Sequence, residues 1–130
     1  MSEAQEPLWI TYEQAIAIHS RQLRRFGGAP GLRDGGVLRS ALERPNKWTY
    51  DQLPLAELAA TYAFGLAKND AFVDGNKRIA FMAMMTFLHK NGVAFSPDPA
   101  EATAIILALA AGEVSEEGLT RWIRDNWPAE

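Results

Sequence analysis

The chain has 130 residues, 48% of them hydrophobic and 22% charged, a length and balance that suit one folded domain and exclude intrinsic disorder. A formal charge of −3 offers no positive field to a nucleic-acid backbone, and the lack of cysteine excludes disulfides and thiolate metal sites. Met1 to Pro7 is polar and acidic, and no apolar run approaches the ~20 residues that span a bilayer, so neither signal peptide nor membrane anchor is expected and a cytoplasmic setting is the reading.

Taken in chain order, Thr11-Tyr12-Glu13-Gln14 has the form of a capping box, which predicts a helix from about Tyr12 to Arg25. Ala15, Ile16, Ile18, Leu23 and Phe26 form its apolar face, and Gly27-Gly28 ends it. Asp34 is placed to cap a short second helix that Pro45 closes. Pro54 suits the first turn of a third, central helix carrying Leu55, Leu58, Ala59, Tyr62, Ala63 and Leu66 and ending near Asn69. Asn76 is placed to cap a fourth helix, apolar nearly all round, with Gly92 as its stop. Asp98-Pro99 opens a fifth helix and Ser115 a sixth, which carries Trp122 and Trp127. Val93 to Ser96 is long enough only for an edge strand, for which Leu8-Trp9-Ile10 is the partner the pattern allows. The expected fold is therefore all-α, one compact domain over residues 1–130 of about six helices, with room for a small β-ribbon.

Asp70-Ala71-Phe72-Val73-Asp74-Gly75-Asn76-Lys77-Arg78 runs from a loop straight into the buried fourth helix. Taken singly, its acid, glycine and asparagine are ordinary turn and cap residues. The two cations are not, because Lys and Arg in a first turn oppose the helix dipole unless an anion binds there. Asp74, just ahead of them, supplies the hard oxygen that Mg²⁺ prefers. Together these residues read as a phosphate–Mg²⁺ site.

This segment resembles the loop of the Fic/Doc family, His-x-Phe-x-Asp/Glu-Gly-Asn-Gly/Lys-Arg, with Phe72, Asp74, Gly75, Asn76, Lys77 and Arg78 at matching positions. Ala17-Ile18-His19, Phe26 to Asp34 and Leu88 to Val93 also read like Doc-type segments in matching order. The resemblance implies that Phe72 anchors the loop, Asp74 binds Mg²⁺, Gly75 and Asn76 shape a phosphate nest, and Arg78 clamps a phosphate. Lys77 favours the Doc-type branch, kinases that transfer the γ-phosphate of ATP, over the AMP-transferring Fic branch, which has glycine there. It further implies a threonine of elongation factor Tu as substrate and a Phd-like antitoxin whose C-terminal segment occupies a groove, with the region of Trp48 and the sixth helix as one place for it.

The departure is Asp70, which stands where the family has its catalytic histidine. Aspartate has a reference pKa of about 3.9 and a shorter reach than imidazole, so it is a poor general base at neutral pH. The expectation is a fold-competent toxin with crippled catalysis. A non-catalytic antitoxin-binding co-repressor is the competing reading and AMP transfer a third, while His19 and His89 read as structural.

Overall fold

The computed structural model describes residues 6–47 and 53–129. Four of the six described α-helices begin at a side-chain cap. Helix α1 (Tyr12–Phe26) carries the full capping box, Thr11 Oγ1 accepting from Gln14 N–H and Gln14 Oε1 accepting from Thr11 N–H. Helix α2 (Gly35–Glu43) starts at Asp34, whose Oδ1 accepts from the N–H groups of Gly36 and Val37, and it tightens into a 3₁₀ turn, Arg44–Lys47, across Pro45. Helix α3 (Leu55–Asn69) follows Pro54, which sits at the cap itself, one position earlier than the first turn. Helix α4 (Asn76–Lys90) is followed by α5 (Pro99–Ala110), capped by Asp98, and α6 (Glu116–Asp125), capped by Ser115. Trp48 lies outside the described residues.

Helix α3 is the hub. It packs along α4 and also meets α2, α5 and α6, while α1 lies against α4. Leu58, Tyr62, Ala63 and Leu66 of α3 and Ile79, Ala83, Met84, Phe87 and Leu88 of α4 are buried in one continuous cluster. Small residues set the spacing: a Cβ on Gly65 would lie 2.9 Å from Arg44 Cδ and 3.3 Å from Ala41 Cβ, so α2 and the turn after it approach α3 only because that side chain is missing.

The β-ribbon expected from residues 8–10 and 93–96 does not form among the described residues. Asn91 pairs with the first of them in place of a strand, Oδ1 accepting from Leu8 N–H at 2.8 Å and Nδ2 donating to Leu8 O at 3.0 Å. On the other side, Val93 N–H is committed to Leu88 O at the end of α4, and Phe95 O accepts from His89 Nε2. Those bonds tie the second segment to the end of α4 instead of to residues 8–10. Phe26 also departs from the core face assigned to it and is 62% exposed.

Ile10 N–H donates to Tyr62 Oη at 3.0 Å, and both residues are buried. Burial pushes the Tyr62 hydroxyl up to about 12 from its ordinary 10.0, so the stability it contributes is complete below pH 10 and fades as pH rises towards 12. Tyr62→Phe orphans the Ile10 N–H and is expected to cost about 1–3 kcal/mol in urea unfolding at pH 7. An unchanged midpoint would show that the N–H finds another acceptor.

Candidate functional site

The site is assembled where α3 hands over to α4. Asn69 ends α3 by donating Nδ2–H to Gly65 O, and Asp70 then turns the chain at φ 46°, ψ 51°, a left-handed conformation that aspartate tolerates better than most residues. Ala71 and Phe72 go into the core. Asn76 folds back on this turn, its Nδ2–H donating to Phe72 O at 2.9 Å and its Oδ1 accepting from Phe72 N–H at 3.0 Å. Asn76 is therefore not the helix cap that the sequence suggests. That position falls to Gly75, at φ +80°, while the Asn76 amide closes the loop. The first intrahelical bond of α4 runs from Ile79 N–H to Gly75 O, so the N–H groups of residues 76–78 have no acceptor within the helix.

The α1–α2 loop is laid against this turn. Val73 N–H donates to Gly31 O, Arg33 and Asp34 N–H both donate to Ala71 O, and Leu32 and Phe72 form an isolated antiparallel bridge. Arg78 Nη1–H donates to Gly27 O at 2.9 Å. Asp74 accepts from Ala29 N–H at Oδ2 (3.1 Å) and from Gly75 N–H at Oδ1 (2.8 Å). Those two N–H groups, Ala29 first, with help from Arg78 and His19, hold the Asp74 carboxyl below the usual carboxylate range. It is an anion at neutral pH.

A cavity of about 570 Å³ opens beside this assembly, within the size range of small-molecule sites. Asp70, Asp74, Gly75, Asn76, Lys77 and Arg78 all line it. Phe72 does not; it lies beneath, 2% exposed and stacked on His19. The opposite walls come from Gln22 and Phe26 of α1, Phe81 and Met82 of α4, and Ala102, Thr103, Ile106 and Leu107 of α5. The cavity is thus polar and cation-rich at the start of α4 and apolar towards α5. His89 is tied to Phe95 O and lies away from it. Sequence reasoning missed the α5 wall, which nothing local marks, and took Gly27-Gly28 only as the end of α1 and not as part of the clamp on Asp74 and Arg78.

Residues 9–88 match the model of the Fic/DOC family. The "Protein kinase doc" of Escherichia phage P1 is 32% identical over 117 residues, 88% of this chain and 92% of the phage protein. The chain belongs to the Fic/DOC family. A further relative, "Toxin Doc" of Mycolicibacterium smegmatis, is 47% identical over 76 residues, 56% of this chain and 58% of that protein. The Fic/DOC match ends at the last core residues of α4, so the α5 wall of the cavity lies beyond it, inside the longer similarity to the phage protein.

Among the described residues no group of three or more His, Asp or Glu side chains could cage a metal ion. One ionised carboxylate on the cavity wall suits Mg²⁺, which commonly rests on one or two carboxylates and shares its remaining positions with phosphate and water. Asp74→Asn puts a donor NH₂ against one of two N–H donors. Because the Asp74 carboxyl is held low, the stability it adds is present above the ordinary 3.8 and is lost as pH falls through the lower folded-state value. The stability gap between the parent and Asp74→Asn is therefore expected to be full at pH 7 and to close on acidification below that point in urea unfolding, whereas a gap independent of pH would contradict the clamp.

Proposed function

We propose that this chain is a Doc-type toxin of a toxin–antitoxin module, built as a protein kinase that uses ATP and Mg²⁺ and impaired in transfer by Asp70. The observation that carries the reading is the placing of Lys77, Arg78 and the unpaired first-turn N–H groups of α4 beside the ionised Asp74 at one end of the cavity. Helix N-termini with added cations bind phosphate, and the apolar end towards Phe81 and Ile106 suits a nucleoside. The two relatives, one a kinase and one a toxin by name, support the same reading.

In this proposal the bond between the γ-phosphorus and its bridging oxygen breaks, a bond from that phosphorus to a threonine hydroxyl of elongation factor Tu forms, and ADP leaves. Asp74 would hold Mg²⁺, which supplies charge neutralisation at the phosphates when bound. Arg78 and Lys77 would balance phosphate charge, and Gly75 leaves backbone room for a phosphate oxygen. The hydroxyl proton needs an acceptor at the position of Asp70, and a carboxylate there accepts it poorly. A Phd-like antitoxin segment would close on the apolar lips Phe26 and Leu107, which are 62% and 49% exposed. Asp70 also keeps a second reading in play, in which the chain binds nucleotide and antitoxin without catalysis and serves as a co-repressor.

The test is calorimetric binding of ATP with Mg²⁺, followed by transfer of label from γ- and from α-labelled ATP to elongation factor Tu with the Asp70→His protein. Binding with γ-label transfer is expected. Label from the α-position would place the chain in the AMP-transferring branch, binding without transfer from either position would favour the co-repressor, and no binding would sink the nucleotide reading.

A further inference from the structure

His19 is 3% exposed, and the proposed chemistry gives this buried titratable group no task. It reaches the site from the inner face of α1. Its ring lies flat on Phe72, with centroids 3.7 Å apart and planes at 14°. Its Nε2 is 2.7 Å from the carbonyl oxygen of Asp74. A carbonyl only accepts, so Nε2 carries the proton and donates.

That carbonyl belongs to the peptide unit joining Asp74 to Gly75. On one side of the unit hangs the carboxylate facing the cavity, and on the other begin the free N–H groups of α4. The ring lies alongside residue 75, where a Cβ would meet His19 Nε2 at an ordinary 3.4 Å; glycine is required there by its φ of +80° rather than by the ring. The stack fixes the ring but cannot orient a peptide, whereas the hydrogen bond does, because it holds the carbonyl in one direction.

We infer that His19 is a positioning residue for the phosphate end of the cavity, setting the Asp74–Gly75 peptide so that the carboxylate and the first turn of α4 keep one relative orientation. The inference rests on the nucleotide–Mg²⁺ reading given above. It acts through Asp74, as the residues that orient metal ligands do elsewhere, where their loss typically costs 10- to 100-fold in affinity or activity.

Two variants separate the donor from the packing. His19→Phe keeps a ring against Phe72 and removes the donor, while His19→Gln removes the ring and returns an N–H at the same reach. ADP binding is measured by calorimetry on the full chain with and without Mg²⁺, and hydrogen exchange of the Gly75 amide, which donates to Asp74 Oδ1, is followed by NMR. The expected result is that His19→Phe weakens ADP binding about tenfold or more with Mg²⁺ and much less without it, that its Gly75 amide exchanges faster, and that His19→Gln recovers both.

Equal weakening in the two variants, with and without Mg²⁺ alike, would overturn the inference and leave His19 as packing. If the parent binds no ADP, the nucleotide reading fails, and the Gly75 amide alone decides the positioning claim: faster exchange in His19→Phe restored in His19→Gln upholds it, and unchanged exchange overturns it.

Discussion

Asp70→His is expected to raise γ-phosphate transfer to elongation factor Tu by about 10²- to 10⁴-fold, the usual contribution of a positioned general base. The backbone favours that outcome. Asp70 turns the chain at φ 46°, and histidine, like aspartate and asparagine, enters this left-handed region more readily than other side chains. Asp70 also terminates α3, where a carboxylate opposes the helix dipole and an imidazole does not. The exchange is therefore expected to leave the fold intact and the thermal midpoint equal or slightly higher. Asp70→Asn is the control, since it removes the same carboxylate from the cavity wall that carries Asp74 without supplying a base. Stimulation by His alone identifies the missing base; equal stimulation by Asn and His would mean that charge repulsion was the whole impairment.

Gly28→Ala is expected to reduce nucleotide–Mg²⁺ affinity tenfold or more and to cost about 1–3 kcal/mol of stability. Gly28 sits at φ +123°, and a Cβ on it would meet Asp74 Oδ2 at 2.8 Å and Arg78 Nη2 at 3.0 Å. Neither can retreat cheaply, because Asp74 is held by Ala29 and Gly75 N–H and Arg78 by Gly27 O. Gly27→Ala separates the two causes. At φ +80° with nothing within 4 Å of its Cβ, it introduces backbone strain without a collision. Loss of stability in both variants but of affinity only in Gly28→Ala would show that the approach of the loop to Asp74 and Arg78 matters for the ligand. Equal affinities in both variants would show that the clamp is only structural. Calorimetry and urea unfolding on the same samples give both quantities.

The helices were legible because each is announced by chemistry within four residues: the Thr11–Gln14 box, the Asp34, Asp98 and Ser115 caps, and the apolar runs of α3 and α4. Two of the errors share a cause, in that a side chain took a partner the local pattern does not reveal. Asn76 reads as a cap and instead closes the turn at Phe72, and Asn91 takes the place of a strand for Leu8. Within the site, residues 70–78 stood out because their cations sit against the helix dipole. His19, Gln22 and Phe26 look like any inner and outer positions of an amphipathic helix until α1 is docked on α4. The α5 wall is legible only in three dimensions, since Ala102 and Ile106 are unremarkable core residues.

The seam between the α1–α2 loop and residues 71–73 is stitched by main-chain groups, from Val73 to Gly31 and from Arg33 and Asp34 to Ala71. Such a join makes no demand on the side chains that flank it, and Leu32 and Val73 project outward, 38% and 52% exposed. The outer edge of this seam can thus drift in evolution while the turn it holds stays constant. Descendants of this chain could present a different outer surface by changing those two side chains, with no rebuilding of the turn that carries Asp74 and Arg78.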